Sequence, residues 1–160
     1  MKNSTKFSHE LVKGKIAETL FEQMYRDTKK FTVLAFGYES VLPELAQRQH
    51  DMHAEETMEV IRRAPDFAVI DIESHEVHLV EVKYMMHMYE SYVLKAARRM
   101  CDSWKPSYLF IATPKGFFCD KVIAIVENKG RTSPLNHPHI PAELQEQYIK
   151  LLNEFIVPHD

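Results

Sequence analysis

Pro65-Asp66-Phe67-Ala68-Val69-Ile70-Asp71-Ile72, then Glu73-Ser74-His75-Glu76, then Val77-His78-Leu79-Val80-Glu81-Val82-Lys83 is the stretch that decides the fold. Two runs rich in β-branched residues flank a short polar segment, the pattern of two strands joined by a hairpin loop. Side chains alternate along a strand, so Glu81 and Lys83 project from one face while Val82 enters the opposite layer and leaves its carbonyl beside them. Asp66, fifteen positions before Glu81, returns through the hairpin to that same end. Leu79, Val80 and Val82 mark the second strand as buried, where unpaired charge is costly and calls for a partner or a function.

Upstream, apolar positions at Leu11, Ala17, Leu20, Phe21, Met24 and Tyr25 predict a helix capped by Ser8 and running to about Arg26, with Glu18 and Glu22 on its flank. Phe31 to Tyr38 reads as a strand, and Pro43 to about Arg63 as a weakly amphipathic, charged stretch. Downstream, Tyr92, Val93, Ala96, Ala97, Met100 and Trp104 form the apolar stripe of a helix from Tyr89 that Pro106 stops, with Lys95, Arg98, Arg99 and Asp102 on its other side. Tyr108 to Ala112 and Lys121 to Val126 read as two further strands. Pro141 opens a last helix with Leu144, Tyr148, Leu151, Leu152 and Phe155 facing inward. The expectation is one α/β domain over residues 1–160, with a core at about 8–126 and a C-terminal helix at about 141–156.

Composition agrees with one core. A chain of 160 residues with 45% hydrophobic and 11% aromatic content needs no metal or disulfide staple and excludes disorder as the whole answer. Four glycines and eight prolines exclude collagen-like and low-complexity classes. No apolar run approaches the roughly 18 residues of a membrane span, and Met1 to Glu10 lacks the apolar centre of a signal peptide, so the expected protein is soluble, cytoplasmic and free of membranes. Cys101 and Cys119 belong to no CxxC pair and read as reduced, buried thiols. A net charge of −3 argues against generic coating of nucleic acid, yet between residues 83 and 105 five basic side chains face two acidic ones, which suits local phosphate contacts.

Two carboxylates and a backbone carbonyl are hard oxygen donors suited to Mg²⁺ or Mn²⁺, and an adjacent lysine can orient or deprotonate the attacking water and offset developing charge. Pro65-Asp66 with Glu81-Val82-Lys83 resembles the PD-(D/E)xK signature of the restriction-endonuclease-like nuclease superfamily. Gly14-Lys15-Ile16-Ala17-Glu18-Thr19-Leu20-Phe21 is similar to the helix that precedes this signature in archaeal Holliday junction resolvases. The resemblance implies an αβββαβ core with a central mixed sheet flanked by helices. It implies metal ligands at Glu18, Asp66, Glu81 and the Val82 carbonyl, and Lys83 as the residue assisting water. Gly14 would leave room for a phosphate backbone, and Lys15, Lys95, Arg98 and Arg99 would contact DNA. The implied activity is Mg²⁺-dependent hydrolysis of DNA. A branched or structured substrate, a homodimer or a partner subunit would provide the selection that so small a chain lacks.

The rival from another class is a catalytically silent module of the same fold that binds nucleic acid or protein. Other features have plainer readings. Glu22 reads as a solvated helix residue, Asp71 as a turn residue, and His50, His53, His137 and His139 as surface histidines. Tyr84, Met85, Met86, Met88 and Tyr89 read as core or interface packing.

Overall fold

The computed structural model describes residues 2–37 and 55–156. The elements run α1 (Lys2–Asp27), β1 (Phe31–Ala35), α2 (Glu55–Arg62), β2 (Phe67–Asp71), β3 (Val77–Tyr84), α3 (Glu90–Ser103), β4 (Ser107–Thr113), β5 (Gly116–Lys121), α4 (Val122–Glu127) and α5 (Ala142–Phe155). The five strands form one sheet in chain order. All neighbouring pairs are antiparallel except β3 and β4, which run parallel with α3 as the connection between them. The architecture is α/β, a mixed sheet flanked by helices.

Strand alternation divides the core between two layers. Val80 and Val82 of β3 and Phe110 and Ala112 of β4 pack against α1 and α5 on one face. Leu109 and Ile111 of β4 face the other way, onto Val93, Ala97 and Met100 of α3 and Val122 and Ile125 of α4. Glu81 and Lys83 alternate with Val80 and Val82, so they stand on the α3 side of the sheet. The hairpin between β2 and β3 is tied by Asp71, whose Oδ1 accepts from the Glu73 and Ser74 amides at 2.8 and 2.9 Å. These bonds hold the Asp71 carboxyl below its ordinary pKa, which is the turn role read for it. On the α1 side, the Tyr148 hydroxyl donates to the Asp27 carboxylate and joins α5 to the end of α1.

Several boundaries differ from the sequence expectation. The first helix begins at Lys2, so Ser8 lies inside it and not at its N-terminus, and Leu11 in its early turns is 55% exposed. Lys121 to Val126 is not a strand. The strand is Gly116–Lys121, and residues 122–127 form the short helix α4, because Val122 and Ile125 repeat at helical spacing over the second core. Phe155 does not face inward but is 64% exposed at the end of α5. The first strand ends at Ala35, and Glu55–Arg62, within the weakly amphipathic stretch that reads as no particular element, forms α2. Tyr38, Pro43, His50 and His53 lie outside the described residues. Cys101 and Cys119 are free thiols, and burial pushes Cys119 up to about 12.

One glycine is dictated by packing. Gly130 follows α4 with φ +94°, donates its amide to Ile125 O at 2.9 Å, and a Cβ there would stand 2.2 Å from the Glu90 carbonyl oxygen at the start of α3. At Gly14, by contrast, an added Cβ would meet nothing within 4 Å. Gly130→Ala is therefore expected to cost about 2 kcal/mol or more and lower the melting temperature by roughly 4 to 8 °C, while Gly14→Ala raises stability by up to about 1 kcal/mol. Thermal melts followed by circular dichroism check both. Equal melting temperatures for the two variants would show that Gly130 does not hold α3 and α4 together.

Candidate active site

The register of β2 and β3 pairs Phe67 with Val80, and continuing it sets Pro65 opposite Val82. Proline has no N–H, so β2 offers the Val82 carbonyl no ladder donor. The Val82 amide instead donates to Asp66 Oδ2 at 2.8 Å. The Asp66 backbone is held as well: its carbonyl accepts from the Phe36 and Gly37 amides at 2.8 and 3.3 Å where the chain leaves β1. The Asp66 side chain is thus fixed at the strand end by its own backbone and by its neighbour's.

Asp66 also shares a side-chain hydrogen bond with Glu81. Burial, that bond and the Asp66 charge drive the Glu81 carboxyl well above the ordinary carboxylate range, against the opposing pull of Lys83. Glu18 approaches from α1, and its carboxyl is raised by burial first and by Asp66 second, with Lys15 opposing at 3.2 Å. Among the described residues no three His, Cys, Asp or Glu side chains form a ready-made metal cage. The donors that touch are Asp66 and Glu81, with the Val82 carbonyl beside them and Glu18 acting on the pair through its charge. A divalent cation such as Mg²⁺ is commonly held by one or two carboxylates, with water and substrate phosphate completing its shell, so this donor set fits one.

The pair lies in an open cleft of about 620 Å³. Lys15, Glu18, Thr19 and Glu22 line it from α1, and Lys83 from β3; Tyr92, Lys95 and Arg99 line it from α3. Arg62 and Arg63 reach it from the end of α2. Six basic side chains against four acidic ones make the cleft positive although the chain is negative. Glu22 is neutralised by Arg26 at 2.8 Å. Arg98 does not share the cleft: Tyr92, Lys95 and Arg99 recur at three- and four-residue spacing on one face of α3, and Arg98 points off that face into solvent.

Sequence reasoning missed Arg62, Arg63 and Tyr92 as cleft residues. The arginines precede Pro65 by three and two positions, a basic pair next to the signature, but the stretch before them reads as only weakly amphipathic. Arg62 is paired with Glu59 at 2.6 Å, and the buried Arg63 Nε has no hydrogen-bond partner. Asp71 sits at the far end of β2 from Asp66. His137 and His139 meet Phe31 edge to face, and the His139 amide donates to His137 Nδ1 at 3.1 Å, a structural use remote from Asp66 and Glu81. No protein-family model matches the chain, and no curated protein matches it, so the geometry carries the functional reading.

The raised carboxyls have a pH consequence. Glu81 holds its proton more tightly folded than unfolded, so metal-free stability is full below the ordinary carboxylate pKa of about 4.3 and declines as pH rises toward the raised folded value. In EDTA the melting temperature should fall between pH 5 and 8, and Glu81→Gln should flatten that fall. At pH 8, Mn²⁺ at about 100 times its dissociation constant should add about 2.7 kcal/mol, or roughly 5 to 10 °C, in wild type only. Differential scanning fluorimetry reads all of these, and identical slopes and shifts in both proteins would place the buried proton and the metal elsewhere.

Proposed function

We propose that the chain is a divalent-metal-dependent endonuclease of the PD-(D/E)xK, restriction-endonuclease-like fold that hydrolyses DNA phosphodiester bonds. The order α1, β1, β2, β3, α3, β4 supports this reading, since it follows the αβββαβ core that the resemblance implies. The observation that carries it is the hydrogen-bonded Asp66–Glu81 pair, with Lys83 next on the same strand face, at the floor of a basic cleft. A half-buried acid pair is a poor stabilising device but a suitable cation site.

In this reading Asp66, Glu81 and the Val82 carbonyl hold Mg²⁺ or Mn²⁺, and Glu18 adds negative charge behind them. When bound, the ion supplies Lewis acidity to the scissile phosphate and makes water a stronger nucleophile at neutral pH. Lys83 is exposed at the cleft and stands where it can orient the attacking water and balance the negative charge that grows on the phosphoryl oxygens. Water attacks in line, its oxygen bonds to phosphorus, and the bond to the leaving oxygen breaks. Lys15, Lys95, Arg99, Arg62 and Arg63 hold the flanking phosphates.

Two substitutions test the roles separately. Lys83→Ala should stop cleavage while keeping the Mn²⁺-induced melting shift, because lysine is no ligand. Asp66→Asn keeps an oxygen for the Val82 amide but removes a charge, so it should abolish cleavage and tighten DNA binding in EDTA. At about 6 Å from a phosphate that charge is worth on the order of 1 kcal/mol, or roughly fivefold in affinity. Cleavage of single-stranded, duplex, flapped and four-way junction DNA, with RNA controls, in Mg²⁺, Mn²⁺ and EDTA reads the first effect, and anisotropy reads the second. A wild type that cuts nothing, with unchanged affinity in Asp66→Asn, would leave only a silent module of this fold.

A further inference from the structure

Tyr92 lines the cleft from α3, and two further exposed rings, Tyr89 and His87, follow it outward along the surface. Tyr92 is 61% exposed and Tyr89 55% exposed, although both are large side chains at the start of a helix whose next turns are well buried. Their rings meet edge to face, with centroids 5.4 Å apart and planes at 90°, and His87 adds a third ring 5.8 Å from Tyr89. The platform is anchored by backbone. Tyr89 is the residue before the first turn of α3, in extended conformation, and its carbonyl accepts from the Tyr92 and Val93 amides at 3.0 and 3.1 Å. Tyr92 shares its helix face with Lys95 and Arg99, so the ring lies within about 10 Å, along the helix axis, of two cations on the same cleft wall.

Exposed aromatic faces beside a row of cations suit a particular chemistry. Cations take phosphates, and an aromatic face takes the π-face of a base. In a duplex both faces of each base are covered by its neighbours, so a platform of this kind gains contact only with bases that are out of the stack. We infer that Tyr92 and Tyr89, with His87 beside them, form a base-stacking platform that selects DNA with unpaired bases, a single strand or a single-stranded flap, next to the Asp66–Glu81 centre. This rests on the nuclease reading of the same cleft and names its substrate class. Tyrosine stacks on every base, so the expected preference is for strandedness and not for sequence.

The test uses the full chain in EDTA, where no cleavage occurs, and fluorescence anisotropy with three labelled probes: a mixed-sequence single strand, its blunt duplex, and an abasic strand of equal length with phosphates but no bases. Wild type should bind the single strand more tightly than the abasic strand. The double variant Tyr89→Ala/Tyr92→Ala should lose on the order of tenfold or more for the single strand and nothing for the duplex or the abasic strand, and Tyr89→Phe/Tyr92→Phe should retain wild-type affinity. Equal losses on all three probes, or none on the single strand, would overturn the platform, the second leaving the tyrosines to a protein partner. Cleavage of the single strand in Mg²⁺ by wild type separates this result from the reading beneath it. A protein that cuts while the alanine variant binds as well as wild type keeps its nuclease activity and loses the platform. A protein that cuts nothing yet shows tyrosine-dependent, base-dependent binding keeps the platform and loses the nuclease reading.

Discussion

At the end of the β2–β3 ladder the Val82 amide leaves the ladder and donates to the Asp66 carboxylate. Had residue 65 carried an N–H and extended the ladder, β2 would pair with β3 for two more residues and Asp66 would be an ordinary strand residue. Proline ends the pairing there. The Val82 amide donates to the Asp66 side-chain oxygen and not to a ladder carbonyl, which fixes the carboxylate beside Glu81, while Pro65 has no N–H to offer the Val82 carbonyl. One residue type at one position thus stops the ladder, aims an acid and frees an acceptor. Losing the Asp66 oxygen would leave a buried N–H unpaired, a cost of about 1 to 3 kcal/mol that gives this position a structural role beside its chemical one.

The acids so gathered are under electrostatic load. Glu81 is raised by burial and by Asp66, and Glu18 by burial and by Asp66, while Lys83 and Lys15 pull the other way without cancelling the effect. In the metal-free protein a proton held on Glu81 relieves it, and on the proposed reading a divalent cation would take that proton's place. The surrounding cations, from α1, α2, β3 and α3, do not neutralise the pair so much as surround it, producing positive walls around a negative floor. On the proposed reading a polyanion would be drawn to the walls and would meet the floor only with a counter-cation present, which would link substrate approach to metal occupancy.

Much of this was legible in the chain, because strand and helix periods are local. The two-residue alternation in Phe67 to Val82 placed Glu81 and Lys83 on one face and Asp66 at their end, and the structure brings Asp66 and Glu81 together. The illegible parts are those decided from afar. The run Lys121 to Val126 is rich in β-branched residues and looks like a strand, yet the second core needs a helix there and Gly130 closes it against α3. Arg98 and Arg99 are adjacent in sequence but differ in direction by about 100° on a helix, so only the packing of α3 on the sheet tells which one enters the cleft. Arg62 and Arg63 reach the cleft because the Trp104 indole donates to Val60 O at 2.8 Å across 44 residues, holding α2 to the end of α3. No local pattern encodes such a contact.

The position of Glu18 depends on aromatic packing and not on charge. Phe21, almost one turn further along α1, stacks on Phe67 with centroids 5.2 Å apart and meets Phe110 edge to face at 4.8 Å. Phe67 directly follows Asp66. The contact between Phe21 and Phe67 therefore sets the distance between the helix that carries Glu18 and the strand end that carries Asp66, and it does so inside the dry core, where a shift of either ring would open a cavity. Like charges alone would push Glu18 and Asp66 apart. The fold holds them near each other because separating the helix from the strand would expose three buried aromatic rings, and at about 25 cal/mol per Å² of apolar surface that outweighs the repulsion of two partly solvated carboxylates.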